Sequence, residues 1–133
     1  MTQKEVTQLS YEITGFAIKV HKILGPGLLE SVYERCLKHE LESNGYDVKQ
    51  QLIVKVNYED IEFETDMKID LLVNDCVVVE LKTVENILPI HEAQLLTYMK
   101  LLRKPQGLLI NFNTTNITKS MKPFVNEYFS RLY

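Results

Sequence analysis

Two short segments decide the fold of this chain: Lys68-Ile69-Asp70-Leu71-Leu72 and Val77-Val78-Val79-Glu80-Leu81-Lys82. The three valines are typical of a central strand that is covered on both faces. Side chains alternate along a strand, so Glu80 and Lys82 share one face. An ionised side chain is tolerated in such a place when it is paired or bound to a metal. The segments therefore predict a polar site on a sheet, with Asp70 of the preceding strand as its third member.

Two sequence patterns resemble those of known nucleases. The first pattern is an aspartate, a glutamate after nine intervening residues and a lysine after one more: Asp70, Glu80 and Lys82. It resembles the active-site signature of the PD-(D/E)xK nuclease superfamily, although Ile69 stands in place of its proline. The stretch Gly27-Leu28-Leu29-Glu30-Ser31-Val32-Tyr33 resembles the string that names the GxxExxY protein family, whose members look like small versions of such nucleases. Further matching pieces lie in the same order and extend the resemblance from about Ile13 to Asn113; they are His21, Gly25-Pro26-Gly27, Gln94-Leu95-Leu96-Thr97-Tyr98 and Leu109-Ile110-Asn111-Phe112.

The spacing of apolar residues predicts the order of helices and strands. Helical spacing indicates helices at about 9–23, 28–43 and 89–103, and two-residue alternation indicates strands at about 51–58, 61–71, 76–83 and 107–112. The strand-helix-strand segment at 76–112 predicts a right-handed parallel crossover. Periodicity alone supports an α/β or α+β sandwich. The resemblance implies an α/β fold with a restriction-endonuclease-like αβββαβ core, in which helices flank a mixed central sheet, plus an extra N-terminal and an extra C-terminal helix.

The resemblance implies a metal-dependent catalytic site. Asp70, Glu80, Glu30 and the main-chain carbonyl of Leu81 would bind Mg²⁺ or Mn²⁺, because such ions prefer oxygen ligands. Lys82 would orient or deprotonate the attacking water, which makes Asp70, Glu80, Lys82 and Glu30 the catalytic set. Simpler interpretations stay open at this stage: Glu80 and Lys82 as a surface ion pair, and Glu30 as a carboxylate that stabilises the start of its helix.

Four further residues are weaker candidates. The resemblance places Gln94 and Tyr98 near nucleic acid, and a solvated helix face is the alternative. For His21 the resemblance implies a metal-binding role as the minority interpretation, since some related nucleases have such a histidine upstream of the acids, whereas a lone histidine is more often structural. Tyr33 lies one turn after Glu30, so it either supports that carboxylate or serves as an ordinary core aromatic residue.

Composition favours a single domain over residues 1–133. The chain is 45% hydrophobic and 25% charged, and no apolar segment is long enough for a membrane, so no membrane partner is expected. The polar N-terminus and two cysteines without zinc-like spacing, Cys36 and Cys76, favour a cytoplasmic protein. A net charge of −3 argues against nonspecific binding of nucleic acid over the whole protein surface, but it permits binding in a local groove. Gly-x-Ser-x-Gly, Walker A and dinucleotide motifs are absent.

These features together favour a Mg²⁺-dependent nuclease that hydrolyses phosphodiester bonds, with DNA preferred over RNA. The alternative is a catalytically silent module of the same fold that binds nucleic acid or a partner protein, including a subunit of a defence or repair complex. A chain of 133 residues offers little surface for gripping a duplex, so a homodimer or a larger protein partner is also expected.

Strand parity provides a geometric test of the site. A two-residue hairpin at Asn74-Asp75 would leave Asp70 and Glu80 on opposite faces of the sheet. A shared site needs one more residue in the turn, or a β-bulge. We therefore expect the turn Asn74-Asp75-Cys76, which pairs Val73 with Val77 and Asp70 with Glu80.

Overall fold

The computed structural model describes all residues, 1–133, as helices on both faces of a five-stranded sheet. A short 3₁₀ helix covers Ile117–Ser120. The other elements, in chain order, are α1 (Gln3–Leu24), α2 (Glu30–Ser43), β1 (Val48–Tyr58), β2 (Ile61–Val73), β3 (Val77–Lys82), α3 (Pro89–Leu102), β4 (Gln106–Asn111), β5 (Met121–Val125) and α4 (Glu127–Ser130).

The strands follow one another in the sheet in chain order, β1-β2-β3-β4-β5. Only β3 and β4 are parallel; every other neighbouring pair is antiparallel. Helix α3 connects the parallel pair, as the crossover prediction required. The expected α/β class, with a mixed central sheet flanked by helices, is confirmed.

Helices cover the two faces of the sheet and form two hydrophobic cores. Helices α1 and α2 pack with one face, whose strand residues include Leu71, Val77 and Val79. Helix α3 packs through Leu95 and Met99 on the other face. Strand β3 lies between β2 and β4 and is buried on both sides, as its valine run predicts.

Local sequence signals explain where the first helix begins and ends. Thr2 and Glu5 form a capping box, in which each side chain accepts a hydrogen bond from the other residue's main-chain N–H. Gly25 ends the helix with a positive φ of 73°, and its N–H donates to the carbonyl of His21. The chain then turns toward α2.

The turn between β2 and β3 has the predicted three residues. Val73 pairs with Val77, Leu72 with Val78 and Leu71 with Val79. Within the turn, Asn74 and Asp75 adopt positive φ values of 50° and 55°, a conformation that these two residue types tolerate well. The register therefore sets Asp70 opposite Glu80 on one face of the sheet.

The C-terminal region contains the expected extra helix, and a strand that was not predicted precedes it. The structure has strand β5 there, followed by α4, a helix of only four residues. Pro123 lies in β5, and an edge strand tolerates proline because one side of it has no ladder to donate to. Helix α2 begins at Glu30, slightly later than the predicted start at about residue 28, and the side chains of Leu29 and Val32 are exposed.

Strands β1 and β2 form a hairpin that extends beyond the end of β3. Their pairing continues to Tyr58 and Ile61, whereas β2 pairs with β3 only as far as Leu71. The tip of the hairpin exposes Tyr58, Ile61 and Phe63. None of the helices combines the length and apolar character that crossing a membrane requires.

The contact between β4 and α3 leaves no room at Gly107. A Cβ atom there would lie 2.5 Å from the Sδ of Met99 and 3.0 Å from Cδ1 of Leu95, whereas a Cβ at Gly15 would contact nothing. We expect Gly107→Ala to lower the free energy of unfolding by about 1 to 3 kcal/mol, because the side chains of α3 must shift. Gly15→Ala, in the interior of α1, is the control and should raise it by about 0.5 to 1 kcal/mol. Urea denaturation measures both, and equal stability of the two variants would contradict this packing.

Candidate active site

The candidate site lies where β2 and β3 separate. Main-chain pairing between the two strands ends at Leu71 and Val79. Beyond this pair, two side-chain carboxylates accept the hydrogen bonds of main-chain N–H groups in place of main-chain carbonyls. The N–H of Asp70 donates to Oε1 of Glu80 at 3.0 Å, and the N–H of Leu81 donates to Oδ2 of Asp70 at 2.8 Å. Asp70 and Glu80 are each only 7% exposed. The structure thus brings the two predicted carboxylates together in a buried gap between the strands.

Helix α2 adds a carboxylate that the sequence analysis missed. Glu34 is 5% exposed and lies one turn after Glu30 on the same helix. Its Oε2 accepts a hydrogen bond from the side-chain amide of Gln50 at 2.6 Å, and its Oε1 accepts one from Gln51 at 2.7 Å. The same amide of Gln51 donates to Oδ1 of Asp70 at 3.2 Å. Glu34 is therefore linked to Asp70 through Gln51.

A signal for Glu34 was present in the sequence. It lies four residues after Glu30 and shares a helix face with the buried residues Leu37 and Leu41. A carboxylate within an apolar helical stripe needs polar partners. No pattern in the sequence points to Gln50 and Gln51 as those partners, because they lie on a strand that meets α2 only in the folded chain.

Burial controls the protonation of the carboxylates. Loss of water raises the pKa of Asp70 and that of Glu80 well above their ordinary values. The neighbouring charge of Asp70 raises the pKa of Glu80 further, and Glu34 has the same effect on Asp70. The pKa of Glu30 is raised mainly by burial, and the charge of Lys82 partly offsets that rise. These carboxyl groups resist ionisation unless a positive charge is near them.

Lys82 provides a positive charge in this environment. It is half-buried at the end of β3, and its charge acts on Glu30 and Glu80. None of the four salt bridges in the chain involves Lys82. Its main chain is fixed, because its carbonyl accepts a hydrogen bond from the N–H of Phe112 at 2.8 Å. Its charge therefore acts on the carboxylates although its ammonium group forms no salt bridge.

Tyr33 holds the segment that leads into α2. Its hydroxyl donates to the carbonyl of Gly25 at 2.6 Å and accepts from the N–H of Leu28 at 3.1 Å. Its ring is fully buried and stacks on Phe112 with centroids 4.5 Å apart. Tyr33 is thus a core aromatic residue that fixes the segment before α2, and a role in supporting Glu30 stays a prediction.

The three remaining candidates differ in their relation to the site. Tyr98 is half-buried, and burial followed by the charges of Glu80 and Asp70 raises its pKa. Gln94 is exposed on the same helix. The Nε2 of His21 lies 2.7 Å from the carbonyl oxygen of Thr114, so its hydrogen bond is to a loop and not to the carboxylates.

The donor chemistry of the site fits a divalent cation. Four carboxylates, those of Glu30, Glu34, Asp70 and Glu80, supply the oxygen ligands that Mg²⁺ and Mn²⁺ prefer. No set of three or more His, Cys, Asp or Glu side chains is arranged to hold an ion as it stands. The reason is visible in the hydrogen bonds, since Asp70 and Glu80 are turned toward main-chain N–H groups. The metal-binding and catalytic roles of these residues stay predictions.

Comparison with known proteins identifies the family. A sequence model of the PD-(D/E)XK nuclease superfamily matches residues 7–124, which is most of the chain. The chain therefore belongs to the PD-(D/E)XK nuclease superfamily. No curated protein and no solved structure matches it.

The raised pKa values make the stability of the metal-free protein depend on pH. A carboxyl group whose pKa is higher in the folded than in the unfolded chain favours folding at low pH, and that contribution is lost as pH rises through the folded-state pKa. Asp70→Asn removes the charge but keeps an oxygen for the N–H of Leu81. In EDTA at about pH 8 we expect this variant to melt about 3 to 6 °C above wild type, a difference that shrinks near pH 5.

The control for this measurement is Asp66→Asn, which changes an exposed carboxylate of the same strand. Its melting temperature should follow that of wild type at both pH values. A stability gain of Asp70→Asn that is equal at both pH values would contradict the raised pKa of Asp70.

Proposed function

We propose that the protein is a metal-dependent nuclease that hydrolyses phosphodiester bonds of DNA. Within the superfamily we assign it to the GxxExxY family on the string Gly27 to Tyr33. The observation that carries the proposal is the buried pair of Asp70 and Glu80 with Lys82 two residues further along β3. Charges that are costly to bury are placed together in a gap of the sheet, which is where a reaction site is expected.

The proposed chemistry divides between the carboxylates and the lysine. Asp70, Glu80, Glu30 and the carbonyl of Leu81 would hold Mg²⁺ or Mn²⁺, and Glu34 adds a further carboxylate. A bound divalent ion polarises the scissile phosphate and lowers the pKa of a bound water. Lys82 would orient that water or take its proton, and its charge would stabilise the negative charge that develops on the phosphate.

The surroundings of the site support nucleic acid as the substrate class. We assign contact with a sugar or base to Tyr98, whose pKa is raised by burial and by the charges of Glu80 and Asp70, and Gln94 is exposed on the same helix. Two lysines of the C-terminal third are already paired with carboxylates, Lys104 with Asp75 and Lys122 with Glu92, and are less available for phosphate. Phosphate binding therefore depends more on the site itself and on a homodimer or larger protein partner.

The second candidate function is a catalytically silent module of the same fold that binds nucleic acid or a protein. One observation favours it: the carboxylates already have hydrogen-bond partners within the chain, and no ligand set is assembled. Either function would operate in the cytoplasm in our proposal, because Cys36 and Cys76 are both free thiols.

Metal binding is tested by thermal melting. A ligand that binds only the folded state stabilises it by mass action, so millimolar Mg²⁺ or Mn²⁺ should raise the melting temperature of wild type by several degrees. Asp70→Asn combined with Glu80→Gln should abolish the rise, because the two main oxygen ligands lose their charge. An absent rise in wild type, or an equal rise in the double variant, rejects the metal site.

Catalysis is tested with Lys82→Ala on single- and double-stranded DNA and RNA in Mg²⁺ and in Mn²⁺. We expect the variant to keep the fold and most of the metal-induced stabilisation, and to lose phosphodiester hydrolysis by about 100-fold or more. Lys82→Arg should also be inactive in proton transfer, because a guanidinium group does not release its proton.

The matched control is Lys68→Ala, which removes an exposed lysine from β2 and should leave cleavage unchanged. Wild type that binds nucleic acid but cleaves none of the four substrates with either metal would favour the silent module. Cleavage of RNA alone would overturn the choice of DNA.

A further inference from the structure

Gln51 has a left-handed backbone conformation, which is unusual for a residue inside a β-strand. Its φ of 53° lies in the left-handed region, which glutamine adopts at a cost in energy. Four other non-glycine residues share a positive φ: Asn74 and Asp75 in one turn, Glu59 in another, and Arg103 at the end of α3. Gln51 alone lies inside a strand, β1.

This conformation coincides with a change of face in the sheet. Val48 of β1 packs with the core beneath α1 and α2, whereas Leu52 and Val54 pack with the core beneath α3. Regular alternation would keep residues 48, 52 and 54 on one face. In β2 the same change falls between Leu71 and Ile69, on either side of Asp70. Gln51 and Asp70 lie opposite each other at this point, because Gln50 pairs with Leu71 and Leu52 with Ile69.

The side chain of Gln51 connects two carboxylates that repel each other. Its Nε2 donates to Oε1 of Glu34 at 2.7 Å and to Oδ1 of Asp70 at 3.2 Å. One amide nitrogen therefore sets the separation between a helix carboxylate and a strand carboxylate. Gln50 holds the other oxygen of Glu34 at 2.6 Å, which fixes the rotation of that carboxylate.

We propose that Gln51 is a positioning residue of the cation site: its left-handed backbone aims one amide at Glu34 and Asp70 and fixes the spacing at which they share a divalent ion. The inference rests on the proposed metal-dependent function and extends it to a residue and a carboxylate, Glu34, outside the Asp-Glu-Lys signature. Turning the strand requires only a residue that accepts positive φ, such as glycine. The reach of the glutamine amide is what glycine cannot supply.

The test is a double-mutant cycle on Mn²⁺ affinity, measured by isothermal titration calorimetry on wild type, Gln51→Gly, Glu34→Gln and the double variant. Gln51→Gly suits the backbone and removes the amide. We expect it to weaken Mn²⁺ binding by about 10- to 100-fold, the scale for groups that orient a ligand from outside the metal's own shell. In the Glu34→Gln background, Gln51→Gly should reduce Mn²⁺ affinity much less, because Gln51 acts through Glu34.

The matched control is Glu59→Gly. Glu59 has the same φ of 53° and lies in the turn between β1 and β2, so the change relieves the same backbone conformation without touching the carboxylates. Its Mn²⁺ affinity should equal that of wild type. Circular dichroism confirms that every variant used in the cycle is folded.

Each outcome separates this proposal from the proposed function. Wild-type affinity in Gln51→Gly, or an equal loss in both backgrounds, overturns the positioning role while the metal site stands. Wild type that binds no Mn²⁺ and cleaves no nucleic acid overturns the proposed function, and the role of Gln51 with it. A loss of affinity in Gln51→Gly that disappears in the Glu34→Gln background supports the role.

Discussion

The site depends on the exchange of hydrogen bonds between Asp70 and Glu80 at the point where β2 and β3 separate. Each carboxylate accepts a main-chain N–H from the opposite strand, so the gap leaves neither of these two N–H groups without a partner. An unsatisfied buried N–H costs about 1 to 3 kcal/mol, which gives the two acids a structural as well as a chemical role. Because both are buried, their pKa values rise, and the two groups resist carrying negative charge together in the gap.

The two hydrophobic cores fix the positions of the helices and strands that surround the gap between β2 and β3. Tyr33, packed on Phe112, holds the segment before α2 and so determines where Glu30 and Glu34 meet the sheet. On the other face, α3 packs closely on β4 and carries Tyr98, whose pKa is raised by burial and by the charges of Glu80 and Asp70. The carboxylates thus come from a helix and from a pair of consecutive strands that is remote from it in the sequence, and packing sets the distances between helix and strands.

Much of the fold and the principal pair of the site could be predicted from the chain. The β-branched run at Val77 predicted a strand with neighbours on both sides, and strand parity predicted the three-residue turn after Val73. Strand β5 was not predicted, because its five residues carry Pro123 and show little alternation. Its pairing with β4 is a long-range contact that overrides local preference.

By itself the sequence determined the order of most elements, the register of β2 and β3, and the shared face of Asp70 and Glu80, because local periodicity and turn length fix these properties. Only the tertiary structure decided that Glu34 lies beside Asp70 and that Gln51 joins them. These contacts need the face change at Gln51 and the docking of α2 on the sheet. A left-handed residue within a strand has no signature in composition or spacing, because its cost is repaid by side chains that meet only after folding.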